Sequence, residues 1–412
     1  MIEIKRKYYE DLIEKYFLKE KKITFLLWAR RVWKTFLMRK FYERLASEAV
    51  WISFEEDIGR KFSTVDEFLN YLKIASWKNS FKYIFLDEIQ LVPGISRILK
   101  KIFDSGYNYY ILCSGSGSFK IYSEIEDSLI GRREIIKVYP LTFEEFFYFK
   151  TWKTLQFVWE NRYEWILDKY YYLIEEFLKF WGYPEVVISK SIEDKVRFLK
   201  SIYDMWIDKD IKFILSWEDI INFSRFLKSI AVRVTSIVKY STISGELWIT
   251  LNKIKKFIQI LKDSFIIFGI WPLAEKYSYE IKTGEKLYFV DNGLLNYILK
   301  SFVLVDNIWK IVENYVIWEH IKRKKDYIEL YFWKKINQSE IDLVVYNMLS
   351  WEYTPVEIKA KSTSTFPKIF KSFSELYNVK KWILYNKSIR FTKKVGEIDF
   401  IVIPYFFVDI FL

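Results

Sequence analysis

The 412-residue chain reads as an α/β protein founded on a three-layer parallel sheet, with further domains behind it. Three observations predict that class. Through about residue 150, short apolar runs of strand length alternate with segments of helical spacing, the mark of a parallel sheet covered on both faces. The first such strand feeds a loop that ends in Lys34-Thr35 and opens a helix. The third ends in the acidic pair Asp87-Glu88.

In order, residues 6–19 form an amphipathic helix with Tyr9, Leu12, Ile13 and Tyr16 on one face. Ile23–Leu27, Ala49–Phe54, Tyr83–Leu86 and Tyr109–Cys113 read as buried strands, and Lys34–Leu45, Val65–Ile74 and Ile95–Ser105 as the helices between them. Residues 151–230 are helical and aromatic-rich without strand signals, which suits a lid. In 231–300 a short helix, a turn and a longer helix precede the turn Lys282-Thr283-Gly284-Glu285 and the strand Leu287–Asp291, the outline of a winged helix. Its candidate recognition helix, Thr250–Leu261, carries Lys253, Lys255 and Lys256, with Lys262 just beyond. Residues 301–412 return to mixed α/β. The expected domains are therefore 1–150, 151–230, 231–300 and 301–412.

Composition narrows the class. A hydrophobic share of 51% with 20% aromatics excludes a disordered chain, and a formal charge of +12 leaves nucleic acid open as a partner. One cysteine (Cys113) and one histidine (His320) exclude a disulfide framework and any cysteine- or histidine-cluster metal site. The charged start lacks the apolar run of a secretory signal and no uncharged apolar run reaches about 18 residues, so neither a signal nor a spanning helix is expected. Cytoplasm is the expected location.

The loop Trp28-Ala29-Arg30-Arg31-Val32-Trp33-Lys34-Thr35 is the most informative stretch. It has the spacing G-x-x-x-x-G-K-[ST] of a phosphate-binding loop, with tryptophan at both glycine positions. Glycine is needed there because backbone N–H groups must close around phosphate oxygens. Glycine is also scarce throughout. The 17 Trp and 12 Gly together match the roughly 29 glycines of an average chain this long, at about 7%. Some bacterial lineages read UGA as glycine, and the abundance of Lys, Ile, Phe and Tyr fits an AT-rich genome. Two readings follow: the tryptophans at 28 and 33 are glycine in the working protein, or the chain is a pseudo-site. A true Trp33 is expected to crowd the phosphate cradle.

Around the loop the remaining parts are in place. Lys34 would offset β/γ-phosphate charge and Thr35 would ligate Mg²⁺. Asp87 would hold the same ion, from a strand expected to neighbour the first, while Glu88 would orient the attacking water. Ser114, in Ser114-Gly115-Ser116, sits where a γ-phosphate sensor belongs. Arg132, after Gly131, offers a guanidinium in cis or toward a neighbouring copy. Taken singly, an acidic strand end and a Ser-Gly-Ser turn are commonplace.

Together with Pro140-Leu141-Thr142-Phe143-Glu144-Glu145-Phe146 and Trp181-Gly182-Tyr183-Pro184-Glu185, these motifs resemble the archaeal and bacterial AAA-type ATPases that end in a restriction-endonuclease-like domain. The resemblance runs over nearly the whole chain and implies an ATP- and Mg²⁺-dependent switch. Members of that family have glycine at the positions of Trp28, Trp33 and Trp181. Trp248 and Trp318 also look like substituted glycine or small residues, whereas Trp333 looks genuine.

In the last domain, Asp342 in Glu340-Ile341-Asp342 and Glu357/Lys359 in Pro355-Val356-Glu357-Ile358-Lys359 form a D…E-x-K arrangement. Two carboxylates can hold a divalent metal and the lysine can position water. Glu313 or Glu319 would add a ligand. The alternatives at this level are an ATPase switch associated with DNA, a metal-dependent DNA nuclease regulated by the ATPase, and a pseudo-ATPase scaffold. An Arg132 acting in trans would require an oligomer.

Overall fold

The computed structural model describes residues 5–28, 30–55, 59–116, 125, 127–160, 164–273, 284–303, 308–334 and 340–411. Ala29 and the turn residues Lys282 and Thr283 lie outside these. The chain forms two compact units, Met1–Tyr139 with Asp263–Phe265, and Pro140–Lys262 with Ile266–Leu412.

The first unit opens with α1 (Lys7–Ile13), which widens into a π-helical stretch, Glu14–Lys19, where one α-helix was expected. Then come β1 (Ile23–Trp28), α2 (Lys34–Leu45), β2 (Ala49–Ser53), α3 (Val65–Ser76), β3 (Tyr83–Asp87), α4 (Ile95–Asp104), β4 (Tyr110–Ser116) and β5 (Arg133–Lys137). The strands are fully parallel, in the order β2-β3-β4-β1-β5. Two expectations change here. β3 does not neighbour β1, because β4 lies between them. β5, whose residues carry too much charge to read as a strand, closes the other edge. Phe25, Leu27, Ile84, Leu86, Ile111 and Cys113 are buried between the helical layers. Helix α4 buries Ile95, Ile98, Leu99 and Ile102 on one face.

The second unit begins with helices, including Phe143–Thr151, Glu164–Phe180, Ile192–Trp206 and Trp217–Val232. The first has a capping box in which Thr142 and Glu145 satisfy each other's backbone N–H groups. Gly182 is required by close approach, since a Cβ there would sit on the Leu141 carbonyl. A three-stranded sheet follows, β6 (Ile237–Val238), β7 (Ile267–Ile270) and β8 (Glu285–Phe289), in the order β6-β8-β7, with helices Tyr240–Leu247 and Leu251–Asp263 in the chain between β6 and β7. The strand expected over Leu287–Asp291 is thus shifted. Asp291 instead caps the helix Asn292–Leu299 by accepting the Leu294 N–H at 2.8 Å, because a side-chain acceptor there satisfies an orphan helix donor.

The helix Ile308–Arg323 leads into a six-stranded mixed sheet. It contains β9 (Ile328–Lys334), β10 (Glu340–Asn347), β11 (Glu352–Ile358), β12 (Lys381–Asn386), β13 (Phe391–Val395) and β14 (Ile398–Pro404), in the order β13-β14-β12-β11-β10-β9. Trp333, Ile341, Val344, Phe370 and Phe373 pack its core. Among the described residues, no helix is long and apolar enough to cross a membrane.

Candidate functional site

β1 is buried from Ile23 to Leu27, so the chain emerges from the sheet at a fixed point and must turn at once into α2. Arg31 and Trp33 make that turn with left-handed backbones, φ 60° and 64°. The helix starts on Trp33, whose carbonyl accepts the Leu37 N–H at 3.1 Å. Among the described residues no side chain caps this end, and a helix N-terminus is an end that suits an anion. The Trp33 indole leans on Phe36, ring centroids 4.9 Å apart.

Four of the expected residues converge. Lys34 is buried at the start of α2. The Thr35 hydroxyl donates to Asp87 at 3.0 and 3.3 Å, and the Ser114 hydroxyl donates to the same carboxylate. Because β4 lies between β1 and β3, Ser114 bridges the gap that Asp87 would otherwise have to span. Burial pushes the Asp87 pKa above the usual carboxylate range. Hydrogen bonds from Ser114, Thr35 and the Glu88 N–H oppose the rise, and the Glu88 charge adds to it. Glu88 follows in a left-handed conformation, φ 55°, and accepts a hydrogen bond from the Gln90 amide. Gly115 lets β4 pass close to that amide, since a Cβ there would come within 2.9 Å of Gln90 Oε1.

The structure does not bring Arg132 to the loop in cis. Its carbonyl accepts the Ile23 N–H at the start of β1, five residues before Trp28, so about 17 Å of strand at ~3.3 Å per residue separates it from the loop. Its guanidinium pairs with Asp104 and donates to the Ile130 carbonyl at 3.0 Å.

One residue escaped the sequence reading. Arg6 is fully buried; it donates to the Val32 carbonyl at 3.1 Å and to the Tyr139 carbonyl at 2.7 Å, and stacks 4.4 Å from the Tyr9 ring centroid. Tyr9 Oη in turn accepts the Tyr139 N–H at 3.0 Å. Only a lone arginine ahead of an amphipathic helix marks it in the sequence.

Backbone conformation bears on the tryptophans. Among the described residues, twelve non-glycine residues have positive φ, and six of these are Trp33, Trp77, Trp152, Trp181, Trp248 and Trp351. Tryptophan is 17 of 412 residues, so chance would put fewer than one there. Trp77, Trp152 and Trp248 each end a helix with a left-handed residue, a position where glycine is the common choice. Trp318 differs, lying inside the helix Ile308–Arg323.

In the second unit, Asp342 on β10 accepts the Ile358 N–H at 2.9 Å, and Lys359 pairs with Glu357 on β11. Glu313 joins them from the helix Ile308–Arg323, while Glu319 instead pairs with Lys322 at 2.9 Å. Burial pushes Glu313 up to about 7 and Glu357 up to about 8; Asp342 adds to both rises, and Lys286 and Lys359, respectively, oppose them. Burial also raises Asp342. A cavity of about 450 Å³ beside them is lined by Thr235, Glu313, Lys334, Glu340, Asp342 and Lys359, among others. On the candidate recognition helix, Lys253 is tied to Asp219 at 2.7 Å and Lys262 to Glu285 at 2.8 Å, which leaves Lys255 and Lys256 as its exposed lysines.

Three family profiles match the chain: an AAA domain over residues 20–147, a domain of unknown function (DUF8612) over 172–303, and a domain of unknown function (DUF4143) over 310–406. An uncharacterized protein of Methanocaldococcus jannaschii is 29% identical over 337 residues, 79% of this chain and 72% of that protein. An uncharacterized protein of Haemophilus influenzae is 29% identical over 217 residues, 52% of this chain and 51% of its own length. Among solved structures, the Thermotoga maritima RuvB Holliday junction branch migration motor is 12% identical, covering 68% of this chain and 95% of its own, with a TM-score of 0.31. AMPPCP-bound DnaA from Aquifex aeolicus is also 12% identical, covering 68% and 86%, with a TM-score of 0.26. The parallel sheet, the loop and the profile agree: residues 20–147 match an AAA domain and have the parallel α/β sheet of a P-loop fold.

Proposed function

We propose that the chain binds ATP with Mg²⁺ and hydrolyses it at the loop between β1 and α2, as a conformational switch, and that residues 28 and 33 are glycine in the form that does so. The observation that carries the reading is the meeting of Thr35 and Ser114 on one buried carboxylate, Asp87, beside Lys34. Those residue types fit a magnesium-nucleotide site. Thr35 and Asp87 supply hard oxygen ligands, and Mg²⁺ bound there would neutralise phosphate charge. Lys34 would contact the phosphates, Glu88 would accept a hydrogen bond from the attacking water, and Gln90 holds Glu88 in orientation. Ser114, already on Asp87, would register whether the γ-phosphate is present.

The left-handed backbone at residue 33 supports glycine there, because it is the conformation glycine adopts without steric cost. With glycine, backbone N–H groups can close on phosphate; with tryptophan the chain would be a pseudo-ATPase scaffold. The test is ATP turnover by a Trp28→Gly/Trp33→Gly chain, with Lys34→Ala in that background as control. Turnover that Lys34→Ala lowers by about a hundredfold or more is expected for loss of a phosphate clamp. No nucleotide binding by the glycine form would overturn the reading. Peptide masses of the protein from its native host would report the residues at 28 and 33 directly.

We further propose the division into core, helical lid, winged helix and restriction-endonuclease-like domain, with DNA as partner. The order β6-β8-β7 with its two helices supports the winged helix, and exposed Lys255 and Lys256 support a phosphate contact. Arg132 would contribute to catalysis only from a neighbouring copy.

A further inference from the structure

The acid cluster of the C-terminal sheet has the outline of a divalent-metal site, and its interior argues against one. Lys286, on β8, reaches it fully buried, with Nζ 2.9 Å from Glu340 Oε1 and 3.4 Å from Glu313 Oε1. Tyr288, two residues on and so on the same face of the strand, donates its hydroxyl to Glu313 Oε1 at 3.1 Å. β8 therefore presents a cation and a hydroxyl donor to the acids as a pair. Asp342 takes the Ile358 N–H, and Glu357 takes Lys359. An ammonium has donors and no lone pair, so it cannot join a metal's ligand sphere, and its charge opposes a second cation beside it. Among the described residues, no group of three acidic, histidine or cysteine side chains is arranged to hold a metal ion.

We infer that Lys286 is the resident counter-ion of this cluster, standing where a metal-dependent nuclease would hold its divalent cation, so that the domain excludes metal and does not cleave by metal-assisted hydrolysis. The inference is independent of the ATPase reading, since it concerns the second unit alone. Glu357 Oε2 is buried with no hydrogen-bond partner among the described residues, which makes Glu357 a second position for the test.

The test is Mn²⁺ binding to the full, nucleotide-free chain, followed by the electron paramagnetic resonance of the free ion, with Asp342→Asn as the control that removes the cluster. Wild type and Asp342→Asn should bind alike, any residual ions lying elsewhere. Lys286→Met should gain affinity by about tenfold or more, comparable in size to the roughly 10–100-fold by which changes beside a metal site alter affinity, and Asp342→Asn should erase it. Lys286→Arg, which keeps the charge, should match wild type. Wild-type binding that falls tenfold in Asp342→Asn or Glu357→Gln would overturn the inference, as would a folded Lys286→Met that gains nothing. If Lys286→Met does not fold, the comparison of wild type with Asp342→Asn decides alone.

Discussion

Replacing the helix-terminal tryptophans by glycine should stabilise the protein although each change deletes the largest side chain. Trp77 and Trp248 are 95% and 93% exposed, so their removal uncovers almost no buried apolar surface. Both have φ near 57°, a conformation that costs an L-residue roughly 1–2 kcal/mol and glycine very little. Each substitution should therefore gain about 1 kcal/mol after the extra unfolded-state entropy of glycine is subtracted. Trp152 is 71% exposed and meets Tyr148 edge-on at 5.9 Å, which offsets its gain by about 0.5 kcal/mol. The sites are distant from one another, so the gains should add. Trp77 lies in the first unit and the other two in the second, so the appropriate assay is thermal unfolding by circular dichroism with each unit's transition resolved. Trp77→Gly should raise only the first unit's midpoint, and Trp152→Gly and Trp248→Gly only the second's, by a few degrees each. Trp333→Gly, in a core strand with the side chain buried, should instead cost at least about 3–5 kcal/mol. Midpoints that fall at Trp77 and Trp248 would refute the argument from backbone strain.

Two further outcomes follow from other residues. Arg6→Met should weaken ATP binding to the glycine form by about tenfold, measured by calorimetry, because the Val32 carbonyl loses a charge-assisted hydrogen bond of about 1.5–3 kcal/mol; unchanged affinity with an intact fold would remove Arg6 from the site. Burial lowers His320 to about 3, helped by Lys381, so it folds neutral and must charge on unfolding in acid. Its folded pKa is depressed, so its contribution is present above about 6.5 and is lost as pH falls toward 3. His320→Gln should flatten the acid limb of the second unit's stability profile, measured by urea unfolding across that range.

The sheet of the first unit was legible because its strands are apolar runs bounded by turns, and α2 was placed to the residue, Lys34–Leu45. What was not legible was order. Nothing local to β4 says that it inserts between β1 and β3, since that depends on packing of the crossover helices over the whole sheet. β5 does not show in the sequence because Arg133, Glu134 and Lys137 mask its pattern, its pairing with β1 being supplied by the backbone. In the second unit the spacing of Asp342, Glu357 and Lys359 was visible, but Lys286 was not. It lies 56 positions before Asp342, just ahead of the strand Leu287–Asp291 that reads as part of a winged helix, and only the fold brings it to the acids.

Arg6 shows why a phosphate loop depends on chain far outside its motif. A loop that aims successive N–H groups at a ligand must turn the matching carbonyls the other way, into protein. Each of those carbonyls then needs a donor, because an unsatisfied buried polar group costs about 1–3 kcal/mol. The loop cannot supply that donor itself, as its own N–H groups are reserved. Arg6 provides it at Val32, and the same guanidinium holds the Tyr139 carbonyl, just past β5. If the loop holds nucleotide as proposed, the segment before the first strand is part of that site, through the carbonyls rather than the phosphates. A chain truncated before Lys7 should therefore keep Lys34, Thr35 and Asp87 and yet bind nucleotide as weakly as Arg6→Met. If it binds as tightly as the intact glycine form, the loop carries its own support and Arg6 is only packing.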